Sequence, residues 1–144
     1  LMSERAGYRG YIGSRTYQGQ RAPQHVQNLV IRDFCQRNGF QYLLSATEYA
    51  MAGSYVMLEE VMLEMPKLNG IVLYSVFMLP KDNLRRLDLY KRVLCEGASL
   101  YGAVENLKVE DARSAENLED ILNVNTLILK CEPLIPASDD TRIF

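Results

Sequence analysis

The chain has 144 residues, of which 48% are apolar and 24% charged, and its formal net charge is −2. That length suits one domain able to bury roughly two thirds of its unfolded surface without disulfides or metals. Recurring Leu, Ile and Val exclude intrinsic disorder, and the longest near-apolar run, Ile71–Pro80, is about half of what a membrane helix needs.

The elements are expected in the following order. Tyr8–Ser14 alternates larger apolar residues with small ones and reads as a strand, followed by a loop over Arg15–Arg21. Pro23 opens a helix with Val26, Leu29, Val30 and Phe34 at helical spacing, and Asn38–Gly39 closes it. Phe40–Ala46 is a second strand, Ala50–Gly53 a loop, and Ser54 the cap of a helix through Met65. The continuous run Ile71–Leu79 predicts a strand buried on both faces.

A helix over Asp82–Glu96 should turn Leu84, Leu87, Tyr90 and Leu94 inward and Arg85, Arg86, Lys91 and Arg92 outward, with Gly97 ending it. Ser99–Glu105 is the fourth strand, and a capping-box-like start at Ser114 opens a last helix to Lys130. Strict alternation of strand and helix predicts an α/β fold: a single-domain three-layer αβα sandwich around a mainly parallel four-stranded sheet, with a C-terminal helix. Residues 1–136 form the expected domain and 137–144 a tail.

No basic segment followed by an apolar one opens the chain, so no secretory signal is expected, and Leu1 ahead of Met2 reads as an added residue. The three cysteines, Cys35, Cys95 and Cys131, are far apart and lie in apolar helical contexts, which fits buried reduced thiols and a cytoplasmic location. With one histidine and no Cys/His pairs, no metal centre is expected, and no cofactor motif is present. Charge is unevenly spread. Residues 1–40 carry six arginines against two acids, a balance of +4, while 41–80 and 81–144 each carry −3.

Open α/β sheets bind ligands at the carboxyl ends of their strands, which directs attention to four loops. The first contains Ser14, Arg15, Arg21 and Gln24 and leads into a helix N-terminus, so it is either an anion cradle or an ordinary loop with surface arginines. In the second, Glu48 is a candidate general base or a partner that orders an arginine of the first loop, beside Ser54 and Tyr55. The third follows Tyr74–Ser75 and is otherwise apolar, and the fourth holds Glu105–Asn106. His25, one turn into the first helix, is an acid–base candidate or a helix-surface residue, and Ser14 a nucleophile candidate without a visible activating partner. The candidate catalytic set is thus Glu48, Ser14 and His25, with Arg15, Arg21, Gln24, Ser54, Tyr55, Tyr74 and Ser75 binding ligand.

The order of parts resembles the catalytic domain of the serine recombinases, the resolvases and invertases. The corresponding stretches are Tyr11–Ile12–Gly13–Ser14–Arg15, Gln27–Gly39, Gly53–Ser54 and Val72–Lys81. The resemblance implies a resolvase-like fold over roughly residues 7–109. In the aligned register Gly13 replaces the family's first arginine, Arg15 its serine nucleophile and Phe77–Met78 its Asp–Arg pair, which implies that DNA transesterification is lost. The long dimer-forming helix and the helix-turn-helix module of that family are also expected to be missing.

The phrases Gly7–Arg15 and Gly19–Gln24 further resemble a small bacterial family, the sporadic carbohydrate cluster proteins of surface-polysaccharide gene clusters. This second resemblance implies a protein of surface-carbohydrate biosynthesis that acts on, or binds, a sugar phosphate or nucleotide sugar. If it is an enzyme, an isomerase, epimerase or lyase is expected, and a serine recombinase is not. The alternatives are a non-catalytic sugar-nucleotide-binding or scaffold module, and a degenerate resolvase-like DNA-binding domain without recombinase activity. The expected partners are a small anionic carbohydrate and further copies of the chain, with no membrane and nucleic acid set aside.

Overall fold

The computed structural model describes residues 6–14, 22–48 and 55–131, with side chains through residue 124. Arg15, Arg21, Ser54 and the 137–144 tail lie outside those residues. The elements are β1 (Tyr8–Gly13), α1 (Gln24–Arg37), β2 (Tyr42–Glu48), α2 (Val56–Glu64), β3 (Gly70–Leu73), α3 (Asn83–Cys95), β4 (Ser99–Gly102), β5 (Leu107–Val109) and α4 (Ala112–Cys131). They form one α/β domain whose five-stranded sheet has the order β2-β1-β3-β4-β5. Four strands are parallel, and β5 runs antiparallel to β4. The sheet therefore has five strands where four were expected, because β5 is only three residues long. It is reached through a tight turn at Asn106, whose φ of 57° lies in the left-handed region that asparagine tolerates.

The run Ile71–Leu79 is also divided. Its strand ends at Leu73, and Val76–Met78 form a 3-10 turn whose residues Val76 and Met78 are as buried as the strand. Burial of both pieces produces the unbroken apolar pattern that reads as one strand. The helix ends follow expectation at Gly39 and Gly97, whose φ values of 71° and 72° let the chain reverse after α1 and α3.

Two clusters sandwich the sheet. One joins Tyr11, Ile71, Leu73 and Leu100 to α2, α3 and the first half of α4 through residues such as Leu58, Val93 and Leu118. The other is smaller and sets Ile12 and Val72 against Ile31, Phe34 and Cys35 of α1. Burial pushes the Cys35 thiol up to about 11, whereas Cys95 is exposed, against the expectation for it. Leu29 is exposed too, because α1 presents the stripe Gln27–Ile31–Phe34–Cys35 to the sheet.

On α3 the inward set is Arg86, Leu89, Tyr90 and Val93, while Leu84 and Leu87 face out. Arg86 is buried because it is neutralised. Its Nε and Nη2 donate to the two carboxylate oxygens of Glu119 on α4 at 2.6 and 2.9 Å, and Nη1 donates to the carbonyls of Pro80 and Lys81. The Tyr90 hydroxyl donates to the same carboxylate at 2.6 Å. At the sheet edge a bulge inserts Leu44 into β2, and Arg9 Nε donates to its carbonyl at 2.6 Å while Nη1 reaches Glu64 at 2.8 Å. The bulge interrupts the open edge of the sheet and blunts strand pairing with another chain. No helix among the described residues is long and apolar enough to cross a membrane.

Candidate functional site at the sheet switch point

In the order β2-β1-β3-β4-β5 the chain leaves β1 toward one side of the sheet and β3 toward the other, so the crevice lies beyond the carboxyl ends of β1 and β3. Ser14 follows β1 there, and Tyr74 and Ser75 follow β3. The Tyr74 amide donates to the Tyr11 carbonyl at 3.1 Å, and the Ser14 amide to the Glu48 carbonyl at 3.3 Å. Parallel pairing places Gly13 opposite Glu48. Ser14, Glu48, Tyr55, Tyr74 and Ser75 therefore share one edge of the sheet, as the loop reading expects. Gln24 and His25 lie exposed in the first turn of α1.

A residue that sequence reasoning passed over organises this edge. Gln27 is 1% exposed. Its Nε2 donates to the carbonyls of Gly13 (2.7 Å) and Ala22 (2.9 Å), and its Oε1 accepts from the Gly13 amide at 3.1 Å. One side-chain amide thus fixes both ends of the segment that carries Arg15 and Arg21. The available signal was a glutamine one turn before Ile31 on the buried stripe of α1.

Glu48 has a different place from a free general base. Its side chain is buried, and Oε1 accepts from the Tyr11 hydroxyl at 2.6 Å. The carboxylate also accepts the Met57 and Leu58 amides at 3.1 Å, capping the N-terminus of α2 from another strand. These bonds satisfy orphan amides and place a negative charge at the positive end of a helix dipole. Tyr55 immediately precedes α2, and the Arg85 guanidinium lies 5.0 Å from its ring centroid.

Ser75 is buried as well. Its Oγ donates to Glu105 Oε2 at 2.6 Å and accepts from the Phe77 amide at 3.1 Å, while Glu105 Oε1 takes the Val76 amide at 2.9 Å. Glu105, whose role the sequence left open, therefore braces the turn after β3. Phe77 and Met78 of that turn pack into the larger core cluster. Among the described residues no side chain hydrogen-bonds to the Ser14 hydroxyl. Among the described residues, this edge holds Gln27 bonded to Gly13 and Ala22, and two carboxylates, Glu48 and Glu105, engaged by phenol, hydroxyl and backbone donors.

No family model matches the chain, and no curated protein matches it. Solved structures share its fold, two of them as follows. A resolvase family site-specific recombinase from Streptococcus pneumoniae superposes with a TM-score of 0.59 at 9% identity, covering 94% of this chain and 99% of that one. The N-terminal catalytic domain of TP901-1 integrase superposes with a TM-score of 0.60 at 12% identity, covering 86% and 98%. The resolvase-like fold is thereby shown.

The same likenesses correct the carbohydrate reading. The solved chains that share this architecture are recombinase and integrase domains, and the sporadic carbohydrate cluster family gains no support. The small anionic sugar as partner falls with that reading, and so does the setting aside of nucleic acid.

Proposed function

We propose that this chain is a nucleic-acid-binding domain on the resolvase-like fold, one that grips the phosphate backbone without cutting it. The observation that carries the proposal is the shared architecture with a site-specific recombinase and an integrase catalytic domain over most of all three chains. Arg15 and Arg21, which in sequence fall between Gly13 and Ala22, the two residues bonded by Gln27, are the candidate phosphate contacts, for which guanidinium donors are suited. Strand cleavage is lost because Gly13, Arg15 and the core-packed Phe77–Met78 stand where the resemblance puts phosphate-binding and attacking groups. Glu48 and Ser75 serve as braces of this edge, and Tyr55 and Tyr74 border it.

Fluorescence anisotropy of labelled duplex DNA across a salt series tests the reading. Affinity should fall linearly with salt on logarithmic axes, and Arg15→Ala should weaken binding at every sequence while lowering the slope by about 1. Absence of retention at low salt, or an unchanged slope in both Arg15→Ala and Arg21→Ala, overturns it. The chain works as a cytoplasmic homo-oligomer in this reading. Support comes from α4, where the apolar Val124 is 54% exposed while Leu118 and Leu122 are buried. Light scattering should give a mass above the monomer.

A further inference from the structure

The two faces of the sheet are unequally covered. Helices α2, α3 and α4 pack on the larger cluster, but α1 alone serves the other face and sits over β1 and β2. Over β4 and β5 that face is left to a cavity of about 460 Å³. Its volume falls within the ~300–1,000 Å³ range of small-molecule pockets. Phe34, Phe40 and Tyr101 line one side, and Leu118 and Ile121 of α4 line the other. The three rings form a tilted group with centroids 5.0–6.2 Å apart, continuous with Tyr8, which stacks on Phe40 at 4.1 Å.

The polar lining is equally specific. Asn106 and Asn117 bring carboxamides from the β4–β5 turn and from α4, Asn38 and Ser114 add a carboxamide bonded to Phe34 and a hydroxyl bonded to Asp111, and Lys108 is the charged residue of the described lining, its Nζ 3.1 Å from Glu110. No carboxylate, imidazole or thiol is among the described lining residues, so the usual metal-ligand set is not found there. An aromatic wall facing aliphatic side chains takes a flat, apolar-faced ring, and carboxamides pair donor to acceptor with the edge of a nitrogen heterocycle.

We propose that this cavity is a second site, distinct from the switch-point edge, which binds a planar nitrogen heterocycle of the nucleobase type. The heterocycle is carried either by a free nucleotide or by an unpaired base of a strand. The two sources share the ring chemistry, and none of the described lining residues belongs to the switch-point edge.

Isothermal titration with adenosine monophosphate, adenosine, ribose 5-phosphate and a short single strand of deoxyadenylate tests it. Asn106→Gly keeps the left-handed turn and Asn117→Ala keeps the helix, so the double variant removes two of the three lining carboxamides with the fold retained, leaving Asn38, whose Nδ2 is already given to the Phe34 carbonyl. The intact chain should bind adenosine monophosphate and adenosine but not ribose 5-phosphate. The double variant should lose at least tenfold in affinity at an unchanged melting temperature. Binding of the strand with the same sensitivity to the double variant shows a site open to nucleic acid, and binding of the mononucleotide alone shows a nucleotide pocket. Failure of adenosine monophosphate and the strand to bind overturns the proposal. So does binding that is indifferent to Asn106→Gly/Asn117→Ala, and strand binding that disappears only in Arg15→Ala reports on the switch-point edge instead.

Discussion

Two buried carboxylates in this molecule are built alike and held differently. Glu48 and Glu119 each accept a tyrosine hydroxyl at 2.6 Å, from Tyr11 and Tyr90 respectively. Glu48 takes its remaining described bonds from the uncharged amides of Met57 and Leu58 at the start of α2. Glu119 takes them from the Arg86 guanidinium. Among the described contacts, a helix terminus stabilises Glu48 and a full charge stabilises Glu119, so Glu119 has much to lose when Arg86 goes.

The largest effect should therefore come from Arg86→Met, which leaves Glu119 buried without its cation. Breaking such a pair costs about 3–5 kcal/mol, so urea unfolding should show a large fall in midpoint with the slope unchanged. The pair is also the acid-sensitive part of the fold. Burial alone would raise the Glu119 carboxyl, but the hydrogen bonds from Arg86 and Tyr90 and the guanidinium charge outweigh it and hold the group below its ordinary value of 4.5. A depressed folded value makes this stabilisation complete above about pH 4.5 and progressively lost as the pH falls toward that folded value. Stability measured from pH 6 to pH 3 should drop, and Glu119→Gln should flatten that dependence.

Glu48→Ala should cost less, about 1–3 kcal/mol, from the described amides and phenol that it leaves without an acceptor. Tyr11→Phe removes one hydrogen bond from the same carboxylate and should cost about 1 kcal/mol. Calorimetry on these two variants beside Arg86→Met checks the ranking, and a Glu48→Ala loss as large as that of Arg86→Met would erase the distinction between the two sites. The exposed pair of Arg37 with Asp33, one helical turn apart at 2.7 Å, marks the lower limit. Asp33→Asn should change stability by under ~0.5 kcal/mol.

The same contrast explains what the sequence reveals. Alternating strand and helix patterns, with glycines at the ends of α1 and α3, were enough for the α/β architecture, because each is written in neighbouring residues. Arg86 and Glu119 are 33 residues apart, and nothing near either announces the other, so a charged residue on a helix reads as surface. The surroundings of Glu48 stay hidden in the sequence for a related reason. The backbone amides it accepts belong to a helix that local pattern does not orient. Gln27 was legible only as a polar residue on an apolar stripe, and β5 was too short to leave a period.

The nucleic-acid reading rests on the architecture and on the arginines that follow β1 in sequence, and it separates binding from cutting. The most direct test incubates the purified chain with end-labelled duplex DNA at low salt and resolves one half of the sample on a native gel and the other on a denaturing gel. The account predicts a retarded band on the native gel that fades as salt is added, with intact strands and no covalent protein–DNA adduct on the denaturing gel. A native lane without any retarded band would contradict the binding claim, and a covalent adduct or cut strand would contradict the loss of cleavage.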